Sequence, residues 1–229
     1  MLYDKSISLD PRLSKIAEML GTCPCCADIG SDHGRLGAFL LQNRRCERMC
    51  LTDISDLSLD KARKLIRMLG LEEKTTFCVG DGAQILPVAV DAAVIAGMGG
   101  ETIAHIIENA QGRLDGARLI LQPNVAVPQL RRRLNAAGWM IQDEALVRDG
   151  RRIYLLIEAV QGTQQLSEIE CEIGPVLLAR RPALLKDYRQ FRLRVARKAL
   201  SGAEKGSDVQ AIAALRREIE IWEGIEECL

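Results

Sequence analysis

Apolar residues recur along the first 160 positions at two alternating periods, and the alternation predicts strand–helix–strand units. Leu13, Ile16, Ala17 and Leu20 share one helical face over 13–20, which ends at Gly21. A short apolar run at 25–29 reads as a buried strand, and 36–43 as a helix. The run 48–52 reads as a second strand ending at Asp53. It is followed by a helix over 58–69, with Leu59, Ala62, Leu65, Ile66 and Leu69 on one stripe and Gly70 as its stop. Further strands are predicted at 75–79 before Gly80-Asp81-Gly82, at 92–96 before Gly97-Met98-Gly99-Gly100, and at 118–121 before Gln122-Pro123-Asn124. Helices are predicted at 102–109 and 127–137. Segments 139–147 and 152–159 read as an antiparallel pair around the turn dipeptide Asp149-Gly150.

Strands that alternate with helices imply a parallel sheet, and a closing hairpin is a common antiparallel edge of one. The expected fold is therefore α/β and Rossmann-like, over residues 1–160. After Val160 the pattern changes. Residues 161–165 are polar and read as a linker, and no strand signal follows Gly174. Leu184, Tyr188, Phe191 and Val195 fall on one helical face, with Pro182 as the expected first residue. Ile212, Leu215, Ile219 and Trp222 form a second stripe, and Ser201-Gly202 and Gly206-Ser207 are expected to separate the two helices. Residues 161–229 thus form a helical, coiled-coil-like hairpin domain.

Composition narrows this picture only slightly. Of 229 residues 48% are hydrophobic and 27% charged, as in ordinary globular proteins, and 3% are aromatic, too few for a stacking surface. No long apolar run and no signal-like start is present, so no membrane span is expected and a cytoplasmic setting is. The net charge is zero but its distribution is uneven. Residues 174–200 carry eight bases and one acid, whereas 201–229 carry seven acids and three bases. Two packed helices of complementary charge would have this pattern, and so would a basic stripe facing RNA through Arg189, Arg192 and Arg197. The clusters Arg131-Arg132-Arg133 and Arg148, Arg151, Arg152 extend the second reading. The eight cysteines are Cys23, Cys25, Cys26, Cys46, Cys50, Cys78, Cys171 and Cys228. Their spacing lacks two clean metal-binding pairs, and several fall inside strands. They read as small buried apolar residues, and no metal is expected.

In doubly wound sheets ligands sit at the carboxyl ends of the strands. Here every such end is polar or glycine-rich: Asp28 and Gly30, Asp53, Asp81 and Gly82, 97–100, and 122–124. Glycines at the first turn let a ligand approach the backbone, and the next helix offers free N–H groups. A nicotinamide dinucleotide turn would be G-x-G-x-x-G; this chain has Asp28-x-Gly30-x-x-x-Gly34. An aspartate repels a pyrophosphate but attracts the cationic amino group and sulfonium of S-adenosylmethionine, so charge favours the latter. Asp53, with Ile54 beside it, suits the ribose, and Asp81-Gly82 the adenine. Taken singly, each aspartate reads as an N-cap or turn residue. His33 in a polar turn and His105 in a helix read first as structural. Gly30, Ser31, His33, Gly97 and Met98 complete the expected cofactor set.

The motifs Asp-Ile-Gly-Ser-Asp-His-Gly (28–34), Ala-Gly-Met-Gly-Gly (96–100) and Leu-Gln-Pro-Asn (121–124) together resemble the bacterial tRNA adenine-22 N1-methyltransferase family. Leu9-x-x-Arg12-Leu13, Gly138-Trp139 and Gly174-Pro175 extend the resemblance from about Leu9 to Leu200. The chain departs from the family at Gly34-Arg35, where a small residue and an aromatic are more usual, and in its many cysteines. The resemblance implies a methyltransferase domain followed by a helical coil domain. It also implies S-adenosylmethionine as cofactor, tRNA as partner, and methyl transfer to adenine N1. N1 carries an in-plane lone pair, so positioning and desolvation are expected to do most of the catalysis. The base must leave its stack to react. Asp28 and Asn124 are the candidate catalytic residues. Arg12, Gly99, Gly100 and Asn124, with the three hairpin arginines, are the candidate substrate contacts. A monomer is expected. The alternatives are a nicotinamide-linked oxidoreductase and a non-catalytic nucleoside- or RNA-binding module.

Overall fold

A computed structural model of the chain describes residues 6–225, so Cys228 lies outside the described residues. It divides into two units, residues 1–164 and 165–229.

The first unit is a seven-stranded sheet. Its strands are β1 (Cys23–Ile29), β2 (Cys46–Asp53), β3 (Thr75–Val79), β4 (Ala92–Met98), β5 (Arg118–Pro123), β6 (Trp139–Asp149) and β7 (Arg152–Gln161). Their order across the sheet is β3-β2-β1-β4-β5-β7-β6. The first five run parallel, β7 pairs antiparallel with β5, and β6 with β7. Five helices accompany them: α1 (Pro11–Leu20), α2 (Arg35–Gln42), α3 (Asp56–Leu69), α4 (Gly100–Glu108) and α5 (Val127–Ala136). Local chemistry sets their ends. Asp10 caps α1 by accepting from the Leu13 N–H at 2.7 Å, with Pro11 in the first turn. Ser55 caps α3, and Gly70 ends it in the left-handed region at φ 67°.

The order reverses between β1 and β4, which opens a crevice at their carboxyl ends. Beneath it the core joins Cys26, Met49, Leu51 and Val94 of the sheet to Leu40, Leu59 and Ile66 of α2 and α3. Cys46 belongs to the same cluster, and Cys50 is also buried. These thiols pack as small apolar groups, which accounts for much of the cysteine content. Burial raises the Cys46 thiol to about 12.

One glycine position is set by packing. A Cβ on Gly100 would lie 2.3 Å from the Ala126 carbonyl oxygen. Ala126 itself is held at φ 55°, and the Gly100 N–H donates to the Val125 carbonyl at 2.8 Å. Gly100→Ala therefore forces apart the loops that follow β4 and β5. A loss of about 1–3 kcal/mol of stability is expected in denaturant titration. Wild-type stability in this variant would show that the two loops part freely.

The second unit is helical: α6 (Glu168–Ile173), α7 (Pro175–Arg180), α8 (Leu185–Gly206) and α9 (Val209–Gly224). Four expectations change here. The first two helices are too short for a periodic stripe to reveal them. Helix α8 begins three residues after Pro182, whose carbonyl accepts from the Leu185 N–H. Ser201-Gly202 lies inside α8, which ends only at Ser207, at φ 57°. The buried face of α8 is Leu185, Tyr188, Arg189, Leu193 and Ala196, so Phe191 and Val195 face outward. The core of this unit gathers on Trp222, which is fully buried. Its indole N–H donates to Glu172 at 2.8 Å, and Tyr188 meets it edge-on at 5.8 Å.

Candidate active site

Asp28 is the second-last residue of β1, flanked by Leu51 of β2 and Val94 of β4. Its carboxylate is buried, and no described residue donates a hydrogen bond to it. Burial raises it to about 7, offset by the Arg12 guanidinium and reinforced by the Asp53 charge. A carboxylate without donors at a switch point is matched to a cation that arrives with a ligand. The chain then turns at Gly30, φ 76°, where the N–H groups of Gly30 and Ser31 both donate to the Thr52 carbonyl at 2.9 Å. Gly34, φ 68°, begins α2, and a Cβ there would lie 2.8 Å from the Ala62 Cβ. The Ser31 hydroxyl is buried and has no partner among the described residues. A buried hydroxyl without a partner, three residues after a carboxylate without donors, fits the polar end of a cationic cofactor.

Asp53 closes β2. One carboxylate oxygen accepts from the Ser55 N–H at 2.8 Å and the other from the Asp32 N–H at 3.1 Å. These bonds fix the group at the carboxyl end of β2 with acceptor sites to spare for two ribose hydroxyls. Ile54 beside it is 76% exposed, an apolar surface available to an adenine ring. Asp81 is exposed on the loop after β3, where the Gly80 N–H ties that loop to the Asp53 carbonyl at 3.0 Å. His33 pairs with Asp32 on the exposed rim. The Met98 side chain folds back over Gly30, where a Cβ would meet its Cε at 2.2 Å. That contact joins the β1 and β4 loops.

The opposite wall comes from β5 and α1. Arg12 donates to Gln122 at 2.9 Å and lies over the Tyr154 ring at 5.6 Å. Gln122 donates to the Asn124 Oδ1 at 3.0 Å, and Asn124 donates to the Gly97 carbonyl at 2.7 Å. The Asn124 N–H also donates to the Met98 carbonyl at 2.8 Å. Arg12, Gly97, Met98 and Asn124, separated along the chain, are therefore joined through Gln122 in one hydrogen-bonded network, and the Arg12 charge acts on Asp28. Sequence reasoning left Gln122 and Tyr154 out of the site. Gln122 carried a signal, since it is a polar residue closing the apolar run Leu119-Ile120-Leu121. Tyr154 carried none, because it reaches the site only through the antiparallel pairing of β6 and β7.

The hairpin arginines are engaged within their own unit, which corrects the picture of a uniform basic stripe. Arg189 is buried, and its Nε donates to the Trp222 carbonyl at 2.7 Å. Arg192 pairs with Glu172 at 3.0 Å and Glu218 at 2.7 Å. Arg197 remains exposed but pairs with Glu223 at 2.7 Å. A desolvated cation is held where acceptors meet it, so the heads of Arg189 and Arg192 turn inward. Two members of the other basic cluster are likewise engaged: Arg131 with Glu144, and Arg133 with Glu101 and Glu108.

The model of the family described as tRNA (adenine(22)-N(1))-methyltransferase matches residues 26–224. A Bacillus subtilis protein of that same description is 32% identical over 158 residues, which are 68% of this chain and 66% of that protein. The chain thus spans about two thirds of that curated relative's length. The crystal structure of the B. subtilis tRNA methyltransferase has a TM-score of 0.86 at 25% identity, covering 96% of this chain and 99% of that one. A Streptococcus pneumoniae protein solved in complex with S-adenosyl-L-methionine has a TM-score of 0.81 at 26% identity, covering 93% of this chain and 100% of that one.

Proposed function

The chain belongs to the tRNA (adenine(22)-N(1))-methyltransferase family, and from that premise we propose that it transfers the methyl group of S-adenosylmethionine to N1 of adenine 22 in tRNA, with the cofactor held by Asp28, Ser31 and Asp53 and the base by Asn124. The observation that carries this reading is the buried Asp28 carboxylate, without a donor among the described residues, at the switch point of the sheet. When bound, S-adenosylmethionine supplies an electrophilic methyl on a sulfonium. Asp28 and the Ser31 hydroxyl hold the charged end, and Asp53 accepts from the ribose. Ile54 covers the nucleoside, with Asp81 and Gly82 at its far edge. Adenine N1 needs no base before it attacks, so the chain's task is orientation and exclusion of water. The methylated ring is cationic, and the Asp28 carboxylate supplies a negative charge to offset it.

The tRNA body docks, on this reading, along the exposed face of α8. There Arg194 lies over Phe191 at 5.8 Å, beside exposed Val195. This replaces Arg189 and Arg192 as contacts, since turning either outward would strip acceptors from a buried charge. No helix among the described residues is long and apolar enough to cross a membrane, and a cytoplasmic tRNA is the substrate this reading calls for.

Two measurements test the proposal. Transcripts with adenine or guanine at position 22 are incubated with the protein and S-adenosylmethionine, and reverse-transcription stops are mapped. A stop at adenine 22 that vanishes with guanine is expected. Methylation that persists elsewhere, or none at all, sinks the assignment. In calorimetry with S-adenosylhomocysteine, Asp53→Ala is expected to weaken binding about 10- to 100-fold, because two hydrogen bonds to a charged group are lost. An unchanged affinity removes Asp53 from the site.

A further inference from the structure

The chain Arg12–Gln122–Asn124–Gly97 has a polarity that its two ends dictate. A guanidinium only donates and a backbone carbonyl only accepts. Arg12 therefore turns the Gln122 Oε1 toward itself, at 2.9 Å. That leaves the Gln122 Nε2 to donate to the Asn124 Oδ1, at 3.0 Å. The Asn124 Nδ2 then donates to the Gly97 carbonyl, at 2.7 Å. Gln122 is 1% exposed, so water does not compete for these groups. Asn124 is exposed at the mouth of the crevice. After these bonds its amide retains one N–H and one acceptor lone pair, in a fixed order.

An adenine about to be methylated at N1 must leave N1 uncovered. The edge that remains for recognition is N6–H, a donor, next to N7, an acceptor. An asparagine amide matches that edge with two hydrogen bonds. We propose that Gln122 is a positioning residue that locks the Asn124 amide to read the N6/N7 edge of the target adenine, leaving N1 turned toward the methyl. The inference rests on the function proposed above. Guanine presents acceptors at both O6 and N7, so the locked Oδ1 faces an acceptor, and the site rejects it.

Replacing Gln122 by glutamate keeps the bond from Arg12 but leaves only acceptors facing Asn124. The amide must then turn over, or lose its bond to the carboxylate. The test uses the full chain and tRNA transcripts carrying adenosine or 7-deazaadenosine at position 22. The deaza base lacks the N7 acceptor and changes nothing in the protein. For the wild type, kcat/KM is expected to fall about 10- to 100-fold on the deaza transcript. For Gln122→Glu, kcat/KM on the ordinary transcript is expected to fall by a similar factor. Its further loss on the deaza transcript is expected to be less than about twofold, since that contact is already gone. Gln122→Met, which removes the link without adding charge, is expected to behave the same way. S-adenosylhomocysteine binding and melting temperature identify any variant that merely fails to fold. Equal rates for the wild type on both transcripts overturn the proposal. So does a full deaza penalty in either variant, which a purely structural Gln122 would give. Absence of N1 methylation on the ordinary transcript overturns instead the function reading beneath it.

Discussion

Asp28→Asn is expected to make the protein more stable at pH 8 and, at the same time, a poorer binder of its cofactor. The Asp28 carboxyl is raised from 3.8 to about 7, chiefly by burial. A group raised in this way binds more protons folded than unfolded between about pH 4 and 7. Its favourable contribution is fully present below about pH 4 and is lost as the pH rises through about 7. Above that, the folded protein without cofactor holds a buried charge at a cost of a few kcal/mol. Asparagine is nearly the same shape and does not ionise, so it removes the cost. The melting temperature of the variant should exceed that of the wild type by several degrees at pH 8, with the gap closing toward pH 5. The same charge is what a cationic cofactor meets. Affinity for S-adenosylmethionine should fall about 100-fold in the variant, and wild-type affinity should weaken as the pH drops below about 7. Melting curves that differ equally at pH 5 and pH 8 would show that Asp28 does not titrate in this range.

Arg131→Met is expected to cost about 3–5 kcal/mol of stability, more than any other single exchange considered. Arg131 on α5 and Glu144 on β6 are essentially inaccessible, and two guanidinium nitrogens meet one carboxylate oxygen at 2.8 and 2.9 Å. Removing the arginine leaves the Glu144 charge desolvated. The double variant Arg131→Met with Glu144→Leu removes both charges and should regain most of the loss. The pair is therefore read from the difference between single and double variants in denaturant unfolding. Equal destabilisation in the two would mean that the cost is lost packing rather than an orphaned charge.

Legibility differed from place to place for physical reasons. Strands β1 to β5 and their helices could be read because an apolar period belongs to each segment alone. The site loops could be read because a parallel sheet places every strand's carboxyl end on one rim. The alignment of Asp28, Gly30 and Asp53 follows from that rule before any contact is known. Helices α6 and α7 were hidden because six residues cannot complete two turns of a periodic stripe. The outward turn of Phe191 and Val195 was hidden for a different reason. Both fit an apolar stripe, but Arg189 takes a buried position because Trp222 offers it a carbonyl.

By itself the sequence determined the alternating sheet, its carboxyl-end rim, the acidic turn that favours a cationic cofactor, and the motifs of the methyltransferase family. These depend on residue type and short spacing. Only the tertiary structure decided which arginines are buried in ion pairs, that Asp28 lacks a donor among the described residues, and that Gln122 stands between Arg12 and Asn124. Arg12 and Gln122 are 110 residues apart in the chain. The partners available to a polar side chain, and so its charge and orientation, are set by what folding brings beside it.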